Sequence, residues 1–353
     1  MRLRFPALFF LSIYIFATPF RLFGNQALRL IDNWNHDDLI YGFILGAVIN
    51  NDSDLIVMFF RNGIKIADKY RYSVFARAGM GPDEVNDFTA LCLYRDKIAE
   101  IELHRKINIF SKVDGKYKCQ QTIWREERGC NQKVTSAIFF KGKWYFAGQE
   151  YDFLNSKENK YYFLRICNEN GEYIKHLISR KYSISKRLNL MSFYVSTDQK
   201  SVYFIAEDDP TIFIISPDSL RVTRKIKLEL PEFYVPMPED FYSKEIKSGS
   251  SSGFTMSDFY TAFEKWKSNY SRITNAIIED GKFIIQIRTC SEKLARFALI
   301  FYNLSSFKQE NIVFTNDYLL ASKSGKYYMF QNGNPMIDED AGDFSVNIYD
   351  LHD

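Results

Sequence analysis

The sequence predicts an all-β fold: a six-bladed β-propeller of four-stranded blades, with one helical insert between blades 4 and 5. Three observations lead to this prediction. Aromatic residues, which favour pleated strands, make up 17% of the 353 residues. One pattern of strand, turn and strand recurs along the chain. A single stretch instead has its apolar residues at helical spacing.

The recurring pattern consists of a tight turn, an apolar strand, a polar loop, a second apolar strand and a second turn. Its six copies start at Asp54, Asp96, Gly142, Asp198, Asp280 and Ser324. The intervals between these starts are 42, 46, 56, 82 and 44 residues. A four-stranded blade with its turns needs about 40 to 50 residues. Six copies therefore predict six blades, with additional residues in the third and fourth intervals. Asp-Gly at 114–115 and 280–281 and Asn-Gly at 170–171 supply hairpin turns.

The last copy ends after its third strand, which would leave an exposed sheet edge. The strand-like residues 27–34, ALRLIDNW, precede the first copy and belong to no other blade. We expect them to form the outer strand of the sixth blade. One sheet would then contain both ends of the domain and close the ring.

A connector between two blades is visible in residues 76–88, ARAGMGPDEVNDF. Gly79 and Gly81 allow backbone angles closed to other residues, and Pro82 cannot continue a ladder. With Glu84, and with Val85 in the aromatic position, the stretch resembles the G-x-G-P-x-E-F connector of NHL-repeat-like six-bladed propellers, which are common among exported bacterial proteins. The resemblance implies the propeller fold. Because that family includes interaction modules, sugar-acid lactonases and lyases, it implies no single activity.

Residues 1–26 are predicted to be a signal peptide, and residues 27–353 a single propeller domain. Arg2 and Arg4 precede an apolar run over 5–20, which is shorter than the about 20 residues of a membrane span. An uncleaved anchor is the alternative. We expect an exported protein, whether periplasmic, cell-surface or secreted, that is monomeric and has no membrane span after cleavage.

The charge of the mature chain argues against nucleic acid as a partner. The full sequence has a formal charge of +3, but Arg2, Arg4 and Arg21 lie in the leader. Without them, 43 basic and 43 acidic residues remain. A net charge of zero creates no global field that attracts a polyanion such as a nucleic acid.

Five cysteines are present: Cys92, Cys119, Cys130, Cys167 and Cys290. No two of them form a C-x-x-C pair, which argues against a structural zinc site. We expect most of them to be buried, reduced and packed as small apolar residues. Only a single connector separates Cys119 from Cys130, so this pair is the first to test for a disulfide.

Residues 231–272 depart most from the repeat. Within them, Met256, Phe259, Phe263, Trp266 and Tyr270 are spaced three and four apart, which predicts a helix of about 15 residues. Such a helix could be a packing insert or a lid over the binding face, hinged at the serine–glycine tract 248–253. The GSSSG at 249–253 matches a nucleophile motif, but its composition is that of a linker.

Candidate site residues are expected on the face that carries the connectors and the loops between second and third strands. The predicted ligand-binding residues are Arg61, Arg77, Glu84, His104, Arg105, Asp152, Asp208, Asp209 and Trp266. Further acids expected on this face are Asp83, Glu150, Glu292, Asp338, Glu339 and Asp340. Converging carboxylates could hold a divalent cation in the axial channel. The alternative is that they are solvated loop residues.

The sequence leaves two functions open. The first is a non-catalytic binding protein that takes a protein, peptide or glycan on its loop face. It rests on the lack of a nucleotide motif, a zinc motif or a credible nucleophile in the sequence. The second is a metal-assisted hydrolase or lyase, which the resemblance to propeller lactonases implies. The spacing of acids and histidines selects no catalytic residue and no metal-ligand set.

Overall fold

The structure of the chain is a computed structural model. It describes residues 27–39, 44–59, 63–70, 72–77, 79, 84–85, 88–102, 106–125, 132–151, 160–181, 192–238, 241, 265, 268–291, 293–331 and 343–352.

The described residues form six antiparallel sheets of four strands each. From axis to rim, blade 1 contains β2 (Ile44–Ile49), β3 (Leu55–Phe59), β4 (Gly63–Ala67) and β5 (Tyr72–Ala76). Blade 2 contains β6 (Phe88–Tyr94), β7 (Lys97–Glu102), β8 (Lys106–Val113) and β9 (Lys116–Trp124). Blade 3 contains β10 (Gln132–Phe140), β11 (Lys143–Tyr151), β12 (Lys160–Asn168) and β13 (Tyr173–Lys181).

The remaining three blades follow the same order. Blade 4 contains β14 (Phe193–Thr197), β15 (Val202–Ala206), β16 (Asp209–Ser216) and β17 (Arg221–Lys227). Blade 5 contains β18 (Arg272–Glu279), β19 (Lys282–Arg288), β20 (Phe297–Asn303) and β21 (Gln309–Thr315). Blade 6 contains β22 (Tyr318–Lys323), β23 (Lys326–Phe330), β24 (Asp343–His352) and, outermost, β1 (Ala27–Leu39).

The six sheets close into a ring. Each inner strand contacts the inner strands of the two neighbouring blades, and β22 contacts β2 to complete the circle. Apolar side chains fill the joints between blades. In the joint between blades 2 and 3, for example, Trp144 and Phe146 pack with Cys92 and Cys167. The predicted six-bladed propeller of four-stranded blades is therefore confirmed.

The N-terminal strand closes the ring as predicted, and it is longer than predicted. It runs antiparallel to β24 from the pair Ala27–His352 to the pair Leu39–Asp343. Trp34 is buried and packs edge-on against Tyr328, with ring centroids 5.5 Å apart. Blade 6 therefore contains both ends of the described chain.

Turn chemistry explains the hairpins within the blades. At Asp114–Gly115 and Asp280–Gly281 both residues have positive φ, between 46° and 75°. Two consecutive positive φ values are typical of the two-residue turns whose twist matches that of the flanking strands. The Asp-Gly pairs picked out in the sequence therefore form such hairpins.

The helical part of the fold prediction is not supported. None of the elements delimited in the described ranges is a helix. Most of the predicted helix, including Trp266, lies outside the described residues, as does the serine–glycine tract. No helix with the length and apolar character to cross a membrane occurs in the ranges given above.

The expected burial as small apolar residues is found for two of the four described cysteines, whereas Cys119 and Cys290 are only partly buried. Cys92 and Cys167 are buried, and burial raises the pKa of the Cys92 thiol to about 12. Cys119 Sγ lies 3.6 Å from the carbonyl oxygen of Gln121. Cys130 lies outside the described residues, so its pairing with Cys119 stays a prediction.

Candidate functional site

A cavity of about 110 Å³ lies on the propeller axis. Most residues lining it belong to the first half of an inner strand. It therefore lies nearer the face where the inner strands begin, which also carries the connectors between blades. One wall is apolar and is lined by Ile44, Leu45, Gly46, Ala47, Leu91 and Leu320. The other is polar and is lined by Thr135, Ser136, Tyr194, Asn275 and Tyr318.

The polar wall joins neighbouring blades through side-chain hydrogen bonds to backbone. Thr135 Oγ1 donates to the Phe193 carbonyl at 2.9 Å. The Tyr194 hydroxyl donates to the Ile273 carbonyl at 3.3 Å, and the Tyr318 hydroxyl donates to the Thr274 carbonyl at 3.1 Å. Because these three hydroxyl protons are already used, the oxygens can only accept further hydrogen bonds. Thr135 Oγ1 already accepts from the Phe193 amide at 2.8 Å, and Asn275 Oδ1 from the Ala276 amide at 2.8 Å. The acceptors that this wall adds are therefore the hydroxyl oxygens of its two tyrosines.

The two tyrosines of this wall stay protonated. Burial raises the pKa of Tyr194 well above its ordinary value, and the Glu207 carboxylate and Tyr318 add to the effect. Burial also raises the pKa of Tyr318. No carboxylate is among the described residues that line the cavity.

Four of the nine predicted ligand-binding residues are described: Arg77, Glu84, Asp208 and Asp209. The other five, Arg61, His104, Arg105, Asp152 and Trp266, lie outside the described residues. The same holds for Asp83, Glu292, Asp338, Glu339 and Asp340. The four described residues fall in two places, the connector after blade 1 and the second hairpin of blade 4.

The connector after blade 1 folds back on itself. The Val85 amide donates to the Arg77 carbonyl at 2.9 Å, and the Gly79 amide donates to the Val85 carbonyl at 3.0 Å. Val85 is fully buried in the apolar joint between blades 1 and 2. The Glu84 carboxylate lies against Gly79, where a Cβ atom would come within 2.1 Å of Oε2. Burial of Val85 therefore fixes the connector against the blades, and the lack of a side chain at Gly79 leaves room for the Glu84 carboxylate.

Asp208 and Asp209 both contact an arginine of the neighbouring blade. Arg180, on the outer strand of blade 3, lies 3.1 Å from Asp208 Oδ2 and 2.7 Å from Asp209 Oδ2. The two carboxylates thus share a guanidinium across the joint. Arg180 belongs to the preceding blade, so the spacing of residues within one repeat could not predict that it pairs with these aspartates.

Three consecutive blades bury a carboxylate at the same end of the second strand. Glu102 ends β7, Glu150 is next to last in β11, and Glu207 directly follows β15. All three are buried. Glu102 and Glu207 were not among the predicted site residues, although their common position at the end of an apolar strand is visible in the sequence.

Glu150 belongs to a buried cluster on blade 3. Its Oε1 accepts a hydrogen bond from Arg165 Nη1 at 3.1 Å and lies 2.9 Å from His176 Nε2. His176 Nδ1 is 3.0 Å from the Tyr173 hydroxyl, and the imidazole stacks on Tyr162. The carboxylate is thereby compensated within its own blade.

Glu102 belongs to a second cluster, on blade 2. Asn108 Nδ2 donates to Glu100 Oε2 at 2.8 Å and to Glu102 Oε1 at 3.0 Å. Thr122 donates to Asn108 Oδ1 at 3.0 Å, which fixes the amide orientation. Burial, reinforced by the neighbouring Glu102 carboxylate, raises the pKa of Glu100 well above its ordinary value. Within the described ranges, no three His, Cys, Asp or Glu side chains are grouped so that they could hold a metal ion.

No family model matches the chain, and no curated protein matches its sequence. Solved structures do match. A protein of Bacteroides fragilis, named for its inferred export, is 11% identical, with a TM-score of 0.57 over 92% of this chain and 94% of its own. The PQQ-bound aldose sugar dehydrogenase of Streptomyces coelicolor is also 11% identical, with a TM-score of 0.52 over 93% of this chain and 99% of its own. At this identity the similarity shows a shared fold.

Proposed function

We propose that this chain is an exported binding protein of the NHL-repeat-like propeller type, which takes its ligand on the loop face above the axial cavity. Two observations support export. The leader 1–26 has a basic start and an apolar run, as signal peptides do. The Bacteroides fragilis protein of similar fold is itself named for inferred export.

The lining of the axial cavity is the observation that carries the binding proposal. One wall offers aliphatic side chains, and the other offers the hydroxyl oxygens of Tyr194 and Tyr318 as acceptors. Ligand sites in proteins are typically apolar concavities with a few placed polar groups. A group that presents an apolar face together with hydrogen-bond donors would be complementary to both walls.

A neutral glycan fits this requirement best among the predicted ligand classes of protein, peptide and glycan. Sugar hydroxyls supply donors, and the C–H faces of the ring supply apolar surface. The charged pair closest to the polar wall favours a neutral ligand, because the Glu207 carboxylate, which acts on Tyr194, is already paired with Arg272. A strongly charged ligand would compete with this pair.

The metal-assisted hydrolase or lyase remains the second candidate. The buried carboxylates Glu102, Glu150 and Glu207 recur at one position in three consecutive blades, and they favour this candidate. In such an enzyme they would have to exchange their present partners for a divalent cation in the axial channel. Metal analysis of the purified protein, with turnover assays on sugar lactones, tests this candidate directly.

The binding proposal is tested by narrowing the cavity. Ala47→Leu adds apolar volume to the cavity wall without removing a side-chain hydrogen bond. Wild-type protein should bind a subset of a printed array of neutral oligosaccharides, and Ala47→Leu should lose that signal while keeping its melting temperature. Ala27→Leu, on the exposed end of β1, is the matched control.

Three results would count against the proposal. One is an array without signal, and another is binding that Ala47→Leu leaves unchanged. The third is stronger binding to a peptide array than to the oligosaccharide array, which would identify the ligand as a peptide. Lactone turnover with a stoichiometric metal ion would favour the enzyme instead.

A further inference from the structure

The outer strands of the propeller divide the rim into two halves of opposite charge. Those of blades 2, 3 and 4 carry nine basic residues and no acid: Lys116, Lys118, Lys175, Arg180, Lys181, Arg221, Arg224, Lys225 and Lys227. Those of blades 5, 6 and 1 carry one basic residue, Arg29, and four acids, Asp32, Asp37, Asp38 and Glu310. We call strands β9, β13 and β17 the basic half-rim. A net charge near zero conceals this asymmetry.

Blade 4 holds the densest part of the basic half-rim. Arg221, Arg224, Lys225 and Lys227 are all exposed on the seven-residue strand β17. None of the four forms an ion pair with a described residue. Arg224 lies over the ring of Phe307 and Lys225 over that of Phe213, at 5.9 and 5.3 Å from the centroids. In both contacts the charged group itself lies over the face of the aromatic ring.

The basic surface continues into the neighbouring blades. Lys175 Nζ, on β13, donates to the Leu220 carbonyl at 3.2 Å, so it lies beside the residue that precedes Arg221. Lys116 and Lys118 are exposed on β9 of blade 2. Arg180 is the member whose charge is already matched, by Asp208 and Asp209.

Protection of sheet edges does not account for this distribution. Lysines and bulges on outer strands prevent edge-to-edge pairing, and β17 has both, with an irregularity between Val222 and Arg224. Yet β5 carries no charge, and β21 carries a single acid. If edge protection were the reason, all six outer strands would need it equally.

Self-association through opposite halves is also disfavoured. Two charges of the acidic half, those of Asp32 and Arg29, already have partners in the same chain. Asp32 lies 3.1 Å from Lys69 Nζ, and Asp350, next to β1 in the same sheet, is paired with Arg29. An external anion fits the basic half-rim better than a second copy does.

We infer that the basic half-rim binds an anionic polysaccharide that wraps around blades 2 to 4. This inference is independent of the proposed ligand site on the loop face. The irregularity in β17 interrupts the ladder that an added peptide strand would need. Three consecutive blades of six span half a circle, so a flat membrane would meet only part of the surface. A linear, flexible polyanion can follow the curve and contact cations on all three blades.

The test uses fluorescein-labelled heparin, a sulfated polysaccharide, and the full mature chain. Arg221, Arg224, Lys225 and Lys227 are replaced together by Gln. The control replaces the same number of exposed lysines elsewhere, namely Lys200, Lys293, Lys308 and Lys326. We expect wild-type binding that weakens with added salt, as counterion release requires, and a loss of affinity of about tenfold or more in the β17 variant. The control variant should stay within about twofold of wild type.

Polyglutamate and vesicles of anionic phospholipid serve as competing probes in the same assay. Binding of either probe more tightly than heparin would overturn the polysaccharide assignment. Equal losses in the β17 variant and the control would show that only total charge matters, and would overturn the assignment to this surface. Because the eight exchanged side chains are exposed, a melting curve of each variant verifies that folding is retained.

Discussion

Arg272 Nη1 lies 3.1 Å from Glu207 Oε1, and both side chains are only 1% exposed. The pair joins blade 4 to blade 5 at the end of the propeller where the inner strands begin. Burial raises the pKa of Glu207, and the Arg272 guanidinium opposes that rise. The Glu207 carboxylate also accepts a hydrogen bond from the Ser192 amide at 2.7 Å. Arg272 is therefore the cation in direct contact with this carboxylate among the described residues, and Lys133 is close enough for Glu207 to raise its pKa against the effect of burial.

Arg272→Met should destabilise the protein strongly. It leaves the Glu207 carboxylate buried without its cation, and breaking a buried pair in this way typically costs about 3–5 kcal/mol. Urea unfolding at neutral pH measures the change. The double variant Glu207→Gln with Arg272→Met should recover much of the loss, because neither side chain of the pair is then charged. An additive double variant would show that the two side chains do not depend on each other.

Glu100 should make stability fall as pH rises. Its folded-state pKa is raised, so the folded protein holds a proton that the unfolded chain releases above the ordinary carboxyl pKa of about 4.5. Stability should therefore decrease from about pH 5 upwards, until the folded-state carboxyl itself ionises. Glu100→Gln keeps the shape and removes the titration. Urea unfolding at about pH 5 and about pH 8 should show a smaller difference for Glu100→Gln than for wild type. Equal differences in the two proteins would assign the dependence to other groups.

Trp34 should be essential to ring closure. Trp34→Ala removes a buried indole that packs on Tyr328 and should cost about 3–5 kcal/mol. Deleting residues 27–34 should go further and expose β24 as a sheet edge, which favours aggregation. Leu30→Ala is the control for the point substitution. The Leu30 side chain, on the same strand, is 53% exposed, so its loss should change the free energy of unfolding little. Thermal melting with light scattering follows both effects. Unchanged melting of the deletion variant would contradict the closing role.

Substitution of two glycines by alanine should change the stability of the protein to very different extents. At Gly148, a Cβ would lie 2.0 Å from the Lys133 carbonyl oxygen and 2.8 Å from Val134 Cα, both of which are backbone atoms. Gly148→Ala should therefore destabilise the protein by at least about 1–3 kcal/mol, the usual cost of overpacking. At Gly46 the nearest atom is Leu91 Cβ at 3.6 Å, an ordinary contact. Gly46→Ala is the matched control and should leave the urea midpoint nearly unchanged.

The repeat predicted the architecture because each blade is a local unit. Turns such as Asp280–Gly281, and alternating strands beside them, depend on neighbours within about 40 residues and are readable along the chain. The closing strand was predictable from a different clue, because the last copy lacked a fourth strand. Its extension to Leu39 was not, since residues 35–38 are polar and charged and do not resemble a strand.

The site was harder to predict because its contacts cross the joints between blades. Arg180 reaches Asp208 and Asp209, and Arg272 reaches Glu207, from strands of a different blade. The spacing of residues within one repeat does not indicate which side chain of the next blade will contact a given residue. The acids at the ends of second strands were visible, but their burial depended on partners that only the folded ring brings together.

The register of β1 against β24 determines how the protein would respond to a mechanical load. Ala27 is opposite His352, so the first residue of the strand pair lies beside the last. A force pulling these two ends apart would act on the backbone hydrogen bonds in sequence, one after another, rather than shear all of them at once. The ring should therefore open at low force when it is held by its ends, and resist far more when it is held across two blades. The same proximity would allow a short linker to join His352 to Ala27 and new ends to be cut in a hairpin of another blade.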